Sequence, residues 1–225
     1  MARQVSALSS MATRGLLTEL AATWGGHATV EAVGGVDAAR RVRDGEMVDV
    51  VVLAGPAMRR LDDEGHLVPG SLVGIARSAL AVAVRTGDPA PDLTDAAAVR
   101  RTLQAAGRVG YSTGPSGDHL LLLLSRWGMR EALSEHLVQA PPGTPVGRLL
   151  AEGTVDIAIQ QHSELMDLPG VSVAGPLPPE IALHTVFTAG IARTSVRPDA
   201  ARCFIAFLAS AATNDTKHRH GMEPA

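Results

Sequence analysis

The chain has 225 residues, a net charge of −3 and a pI near 6.2, and its composition is 46% hydrophobic but only 3% aromatic. A core of that make-up is filled with Ala, Val, Leu and Ile, which suits helices layered on parallel strands better than an aromatic-rich barrel of short strands. No Lys/Arg run interleaved with aromatics is present, so a nucleic-acid partner is excluded, and no apolar run reaches the length that would make a membrane partner.

In chain order, Val5 to Leu8 predicts a short strand that ends in Ser9-Ser10 and opens a helix with Leu16, Leu17, Leu20 and Trp24 at helical spacing. Ala28 to Val33 is strand-like and breaks at Gly34-Gly35 before a short helix, Val36 to Asp44, whose Arg40, Arg41 and Arg43 form a solvated face. Val48 to Leu53 is a continuous apolar run apart from Asp49, as expected of a strand buried on both faces, and Pro56 starts the next helix. Ser71 to Ala76 leads through Arg77-Ser78 into a second fully apolar strand, Ala79 to Val84.

Thr86 to Asp95 reads as loop, Ala96 to Ala106 as helix and Arg108 to Tyr111 as a strand that feeds Ser112-Thr113-Gly114-Pro115-Ser116-Gly117. A helix follows from Asp118 to Trp127, and another from Val146 to Glu152. Val155 to Ile159 is a strand ending in Gln160-Gln161-His162, with a polar helix start at Ser163-Glu164. Val171 to Ala174 and His184 to Ala192 are extended, and Pro198 opens a last amphipathic helix that closes near Ser210. In that helix the single cysteine, Cys203, reads as core packing, and His218 and His220 fall in a solvated tail.

Strands alternating with helices give an α/β fold. A weak internal duplication divides it: a strand, serines and a helix (Ser9-Ser10; Ser112 and Ser116) are each followed by a Gly and then an Asp opening an apolar strand, Gly45 with Asp49 and Gly153 with Asp156. Two similar lobes with mainly parallel sheets follow, with helices on both faces. A strand that stops at small hydroxyl and glycine residues and restarts as a helix presents free N–H groups and a positive dipole end, which together cradle an anion. Ligands of open α/β sheets sit at the carboxyl ends of the strands, so Ser9, Ser10, Ser112 and Ser116 are expected on one interlobe cleft.

The order and spacing of these fragments resemble the type II periplasmic binding proteins, in their molybdate-binding-protein-like branch. The carriers are Ser9-Ser10, Gly34-Gly35, Gly45 to Val51, Arg77-Ser78, Ser116-Gly117, Gly153 to Asp156 and the final segment Pro198 to Ser210. The resemblance implies two crossover segments, Ala79 to Val84 and His184 to Ala189, with residues 1–78 and 190–225 forming lobe one and 79–189 lobe two. In molybdate binders a small hydroxyl residue follows the glycine pair, whereas this chain has Val36-Asp37, which turns the expected cargo toward an organic acid. The strings Ser112 to Gly117, Gln160 to Leu165, Gly175 to Pro178 and Gly221-Met222-Glu223-Pro224 are similar to a sub-branch around bacterial aconitate isomerases. The chain as written shows no secretory leader, so the expected location is cytoplasmic, or periplasmic if a leader has been removed, and the first of these speaks against an importer partner.

Binding is expected from the hydroxyls of Ser9, Ser10, Ser78, Ser112 and Ser116, the N–H groups of Gly35, Val36 and Gly117, and the amides of Gln160 and Gln161. Arg77 is either a ligand contact or a surface arginine at a strand start. A small anion is the expected partner, with no cofactor and no metal. The alternative is an isomerase that shifts a proton on a di- or tricarboxylate, which needs a base beside an acidic C–H. Asp118, His119, His162 and Glu164 are the candidates, Asp118 being also a natural first-turn acid of its helix and His162 a loop residue.

Overall fold

The computed structural model describes residues 4–225; the three residues before them, read above for a leader, lie outside the described part. The chain forms an α/β fold that divides into two compact units. One runs to Ser78 and resumes from Val186 to Ala225, and the other is Ala79–Thr185. The sequence reading has the second change of lobe after Ala189.

The first unit is built from β1 (Gln4–Ser10), α1 (Arg14–Thr23), β2 (His27–Val33), α2 (Gly35–Arg43), β3 (Val50–Ala54) and α3 (Gly55–Asp63). A long strand, β4 (Val73–Arg85), then carries the chain into the second unit. There follow α4 (Ala96–Ala105), β5 (Val109–Tyr111), α5 (Pro115–Arg126), β6 (Leu137–Gln139), α6 (Val146–Ala151), β7 (Ile157–Gln161), α7 (His162–Leu165) and β8 (Val171–Pro176). Strand β9 (His184–Ile191) brings the chain back, and α8 (Pro198–Ala209) and α9 (Asn214–Arg219) complete the first unit.

In the first unit β1 lies between β2 and β3, all parallel, and β9 adds antiparallel to β3 through Phe187 to Ile191. Every residue of β3 is buried, and alternation sends them to two layers. Val50, Val52 and Ala54 pack with Leu16, Leu17 and Leu20 of α1 and with Phe204 and Leu208 of α8, while Val51 and Leu53 pack with α2 and α3. The rings of Trp24 and Phe204 lie 4.9 Å apart in this layer, which also takes Phe187 and Phe207, while Tyr111 and Trp127 pack in the second unit. The second unit repeats the plan. Strand β5 lies between β6 and β7, all parallel, β4 runs antiparallel to β7 and β8 antiparallel to β4. Ile157 and Ile159 face α4 and α5, and Ala158 faces Val146 and Leu150 of α6.

The duplication has a physical meaning in the hydrogen bonds. Asp49 donates its N–H to Ser6 O (3.0 Å) and accepts from Ser6 N–H at its carboxylate (2.9 Å). Asp156 does the same with Arg108, at 2.9 and 2.7 Å. Each aspartate thus clasps the first residues of the neighbouring parallel strand and sets its register.

Several expectations are corrected. Helix α5 starts at Pro115, three residues before Asp118, because proline at the first helical position needs no N–H partner. Cys203 is exposed: the buried side of α8 is Ala201, Phe204, Ile205 and Leu208, and position 203 falls outside that stripe. His218 is exposed as expected, but the rest of the carboxyl-terminal tail is docked. His220 Nε2 meets Glu19 at 2.8 Å, Met222 is buried, and Glu223 pairs with Arg77 through both backbone groups and an ion pair of 2.7 Å. The solvated face of α2 is as expected: Arg40 and Arg43 are exposed, and with Arg41 they pair at the surface with Asp37, Glu31, Glu46 and Glu64.

Candidate functional site

In the first unit, β1 and β2 are parallel neighbours in register to Ser10↔Val33, so Ser10 and the start of α2 emerge at the same sheet edge. A Cβ built on Gly35 would lie 3.6 Å from Ser10 Cβ. The first helical bond of α2 is Ala38 N–H to Gly34 O, which leaves the N–H groups of Gly35, Val36 and Asp37 ahead of it. Ser10 is 8% exposed, and its hydroxyl, shielded from water, has no hydrogen-bond partner. Ser9 is wholly buried and its hydroxyl donates to the carbonyls of Ser10 (3.3 Å) and Glu31 (3.5 Å). Val36 is 65% exposed, and Asp37 turns along its helix to Arg40 at 2.5 Å, so its carboxylate is neutralised locally.

Arg77 forms the ion pair with Glu223, with Nε 2.9 Å from the carboxylate, and this geometry fits its reading as a surface arginine at a strand. Ser78 is buried beside it in β4.

In the second unit the same kind of corner lies after β5. Gly114, at φ +88°, turns the chain into α5, and Pro115 takes the first position. The Ser112 and Ser116 hydroxyls lie 2.8 Å apart. A Cβ on Gly117 would stand 2.0 Å from the Ser112 carbonyl oxygen, so only glycine lets the loop fold this tightly onto the helix. Asp118 N–H makes the first helical bond, to Gly114 O, leaving the Ser116 and Gly117 N–H groups ahead of it. The Asp118 side chain is exposed in the first turn. His119 Nε2 lies 2.8 Å from Ile181 O; a carbonyl only accepts, so this nitrogen carries the proton and the ring ties α5 to the turn Pro179–Ile181.

Strand β7 is level with β5, Ile159 pairing with Tyr111, and brings Gln160 and Gln161 to the same edge. They point to opposite faces. Gln160, buried, accepts Val146 N–H at Oε1 (3.0 Å) and donates from Nε2 to Glu164 (2.8 Å). Burial pushes the Glu164 carboxyl up to about 7, against the smaller lowering from the Gln160 bond. Gln161, 3% exposed, donates from Nε2 to Thr185 Oγ1 at 2.7 Å, and its buried Oε1 has no partner. His162 opens α7 and is half-buried.

The structure therefore gathers Ser10 with Gly35 in one unit, and Ser112, Ser116 and Gly117 at one edge with Gln160, Gln161 and Glu164 in the other. It places Arg77, His119 and the Ser9 hydroxyl in structural bonds. The residue that sequence reasoning missed is Thr185, which lies in an extended stretch with no motif around it. Among the described residues no cluster of three His, Cys, Asp or Glu side chains is placed to hold a metal ion, and no helix is long and apolar enough to cross a membrane.

Three comparisons bear on this arrangement. A family model described as bacterial extracellular solute-binding protein matches residues 5–223. The chain is 31% identical over 184 residues to an aconitate isomerase of a Pseudomonas species, covering 82% of this chain and 70% of that protein. Among solved structures, the periplasmic molybdate-binding protein of Azotobacter vinelandii superposes with a TM-score of 0.79 at 17% identity, over 97% of this chain and 98% of that one. The sulfate-binding protein of Mycobacterium tuberculosis gives 0.76 at 16%, over 99% and 87%. At these identities the two structures speak for the fold.

Proposed function

The chain belongs to the bacterial extracellular solute-binding proteins, and on that premise we propose that it binds a small organic anion carrying more than one carboxylate. The observation that carries the reading is the Ser10 hydroxyl. A buried hydroxyl without a partner costs about 1–3 kcal/mol, and an anion oxygen held between it and the N–H groups at the start of α2 removes that cost. The Ser112–Ser116 pair at the start of α5 offers a second set of neutral donors. Arg77 is engaged by Glu223, so the proposed contacts are hydroxyls and amides, the donor types that solvate a carboxylate without a counter-ion.

A second reading is a 1,3-proton shift on an unsaturated polycarboxylate. The likeness to the Pseudomonas aconitate isomerase favours it, and so does a carboxyl, Glu164, that exists in both protonation states near neutrality, as a group that takes and returns a proton must.

One preparation tests both. Thermal unfolding in the presence of citrate, cis-aconitate, trans-aconitate, sulfate and molybdate is expected to show a midpoint that rises with concentration for the carboxylates, and a smaller rise in Ser10→Ala. A midpoint that none of the five acids moves would contradict the binding reading. Proton NMR of the two aconitates with the same protein reports interconversion; ligand-dependent stabilisation without any interconversion keeps the first reading and removes the second.

A further inference from the structure

Gln161 is the clearest mismatch between what is buried and what is bonded. In β7 the residues Ile157, Ile159 and Gln161 share a face, and the two isoleucines pack in the layer that holds Leu120, Leu123 and Leu124 of α5. Going from Ile159 to Gln161 climbs about 7 Å along the strand. Going back from Leu120 to Ser116 climbs about 6 Å along the helix. Gln161 therefore stands at the level of the first turn of α5, just beyond the apolar layer, where the Ser112–Ser116 pair and the unbonded Ser116 and Gly117 N–H groups lie.

Its amide is half used. Nε2 donates to Thr185 Oγ1 at 2.7 Å, while Oε1, sealed from water, accepts from nothing. A carbonyl oxygen can be satisfied only by a donor. A fully ionised oxyanion or polycarboxylate brings acceptors alone and leaves this atom unpaired. A ligand with a hydroxyl next to its carboxylate satisfies both groups at once, the carboxylate on the donors of α5 and the hydroxyl proton on Gln161.

We infer that the anion bound at this edge is a hydroxycarboxylate, and that the Gln161 carbonyl oxygen is the group that selects its hydroxyl. The inference rests on the anion-binding reading above and narrows its ligand class.

The test compares pairs of acids that differ by one hydroxyl: citrate against propane-1,2,3-tricarboxylate, and malate against succinate, each titrated calorimetrically into the full chain. In the wild type the hydroxylated member of each pair is expected to bind about tenfold more tightly or better, the value of one buried hydrogen bond to an otherwise unpaired acceptor. In Gln161→Met, which keeps the length and removes the amide, the preference is expected to collapse to within about twofold. Gln161→Glu, which keeps an acceptor, is expected to retain it. Equal affinities within both pairs in the wild type overturn the inference while leaving the anion reading intact. A hydroxyl preference that survives Gln161→Met overturns it too. No saturable binding of any of the four acids removes the anion reading, and this inference with it.

Discussion

Glu164 and Gln160 show how a single buried bond can make a protein sensitive to pH. The Gln160 amide cannot turn over, because the Val146 N–H at its oxygen must have an acceptor, so its nitrogen always donates to Glu164. Burial outweighs that bond and holds the carboxyl near 7, above its ordinary 4.5. A raised acid favours the protonated form in the folded state. Its contribution to stability is complete below about pH 4.5 and is lost as the pH rises through 7. Glu164→Gln keeps the bond from Gln160 and removes the charge, so calorimetric unfolding is expected to show the variant gaining about 1–3 kcal/mol over the wild type at pH 8 and almost nothing at pH 4. Equal differences at the two pH values would mean that the carboxyl is hydrated in the fold. Glu164 was visible in the sequence as a titratable group near a strand end, but the desolvation that raises it was not, since no local pattern reports what the fold packs around it. The same holds for Ser9 and Ser10, adjacent and alike in the sequence, of which one is bonded to backbone and the other left open.

Elements with a strong internal signal were legible. The all-apolar β3 and the helices opened by proline or glycine pairs followed from spacing, and β7 was seen as a strand but placed two residues early. Short ones were not. Strand β6 has three residues and is held by its pairing with β5, and α9 has six and is held by packing on α1, so neither carries enough residues for a periodic pattern. The repeated aspartates were seen as a pattern before their work was known, and their clasps differ in burial. Asp49 is buried, bonding Ser6 and also Ser195 (2.8 Å), while Asp156 is partly open. Replacing a buried acceptor strands its donors without water. Asp49→Ala is therefore expected to cost about 2–4 kcal/mol in urea unfolding and Asp156→Ala about 1–2. The reverse order would show that the clasp on β5, not that on β1, carries the register.

At the scale of the whole molecule, the chain leaves its first unit through β4, builds a second unit on the same plan and returns through β9. In the sequence two crossovers of this kind were implied by the family resemblance alone, carried by fragments each too common to mean much by itself. The docked tail was not read, because the contact of Glu223 with Arg77 joins residues 146 positions apart. Arg77 was singled out for its charge, and the fold spends that charge on holding its own terminus. The groups proposed for a ligand are neutral: hydroxyls and N–H groups at the strand ends, with an unpaired hydroxyl at Ser10 and an unpaired carbonyl oxygen at Gln161. The account stands or falls on whether those groups hold an organic anion, and the most direct measurement is a calorimetric titration of citrate into the full chain and into Ser112→Ala/Ser116→Ala. The account predicts a saturable heat in the wild type and an affinity weakened about tenfold or more in the double variant. No saturable heat up to millimolar citrate, or an affinity the two substitutions leave unchanged, would contradict it.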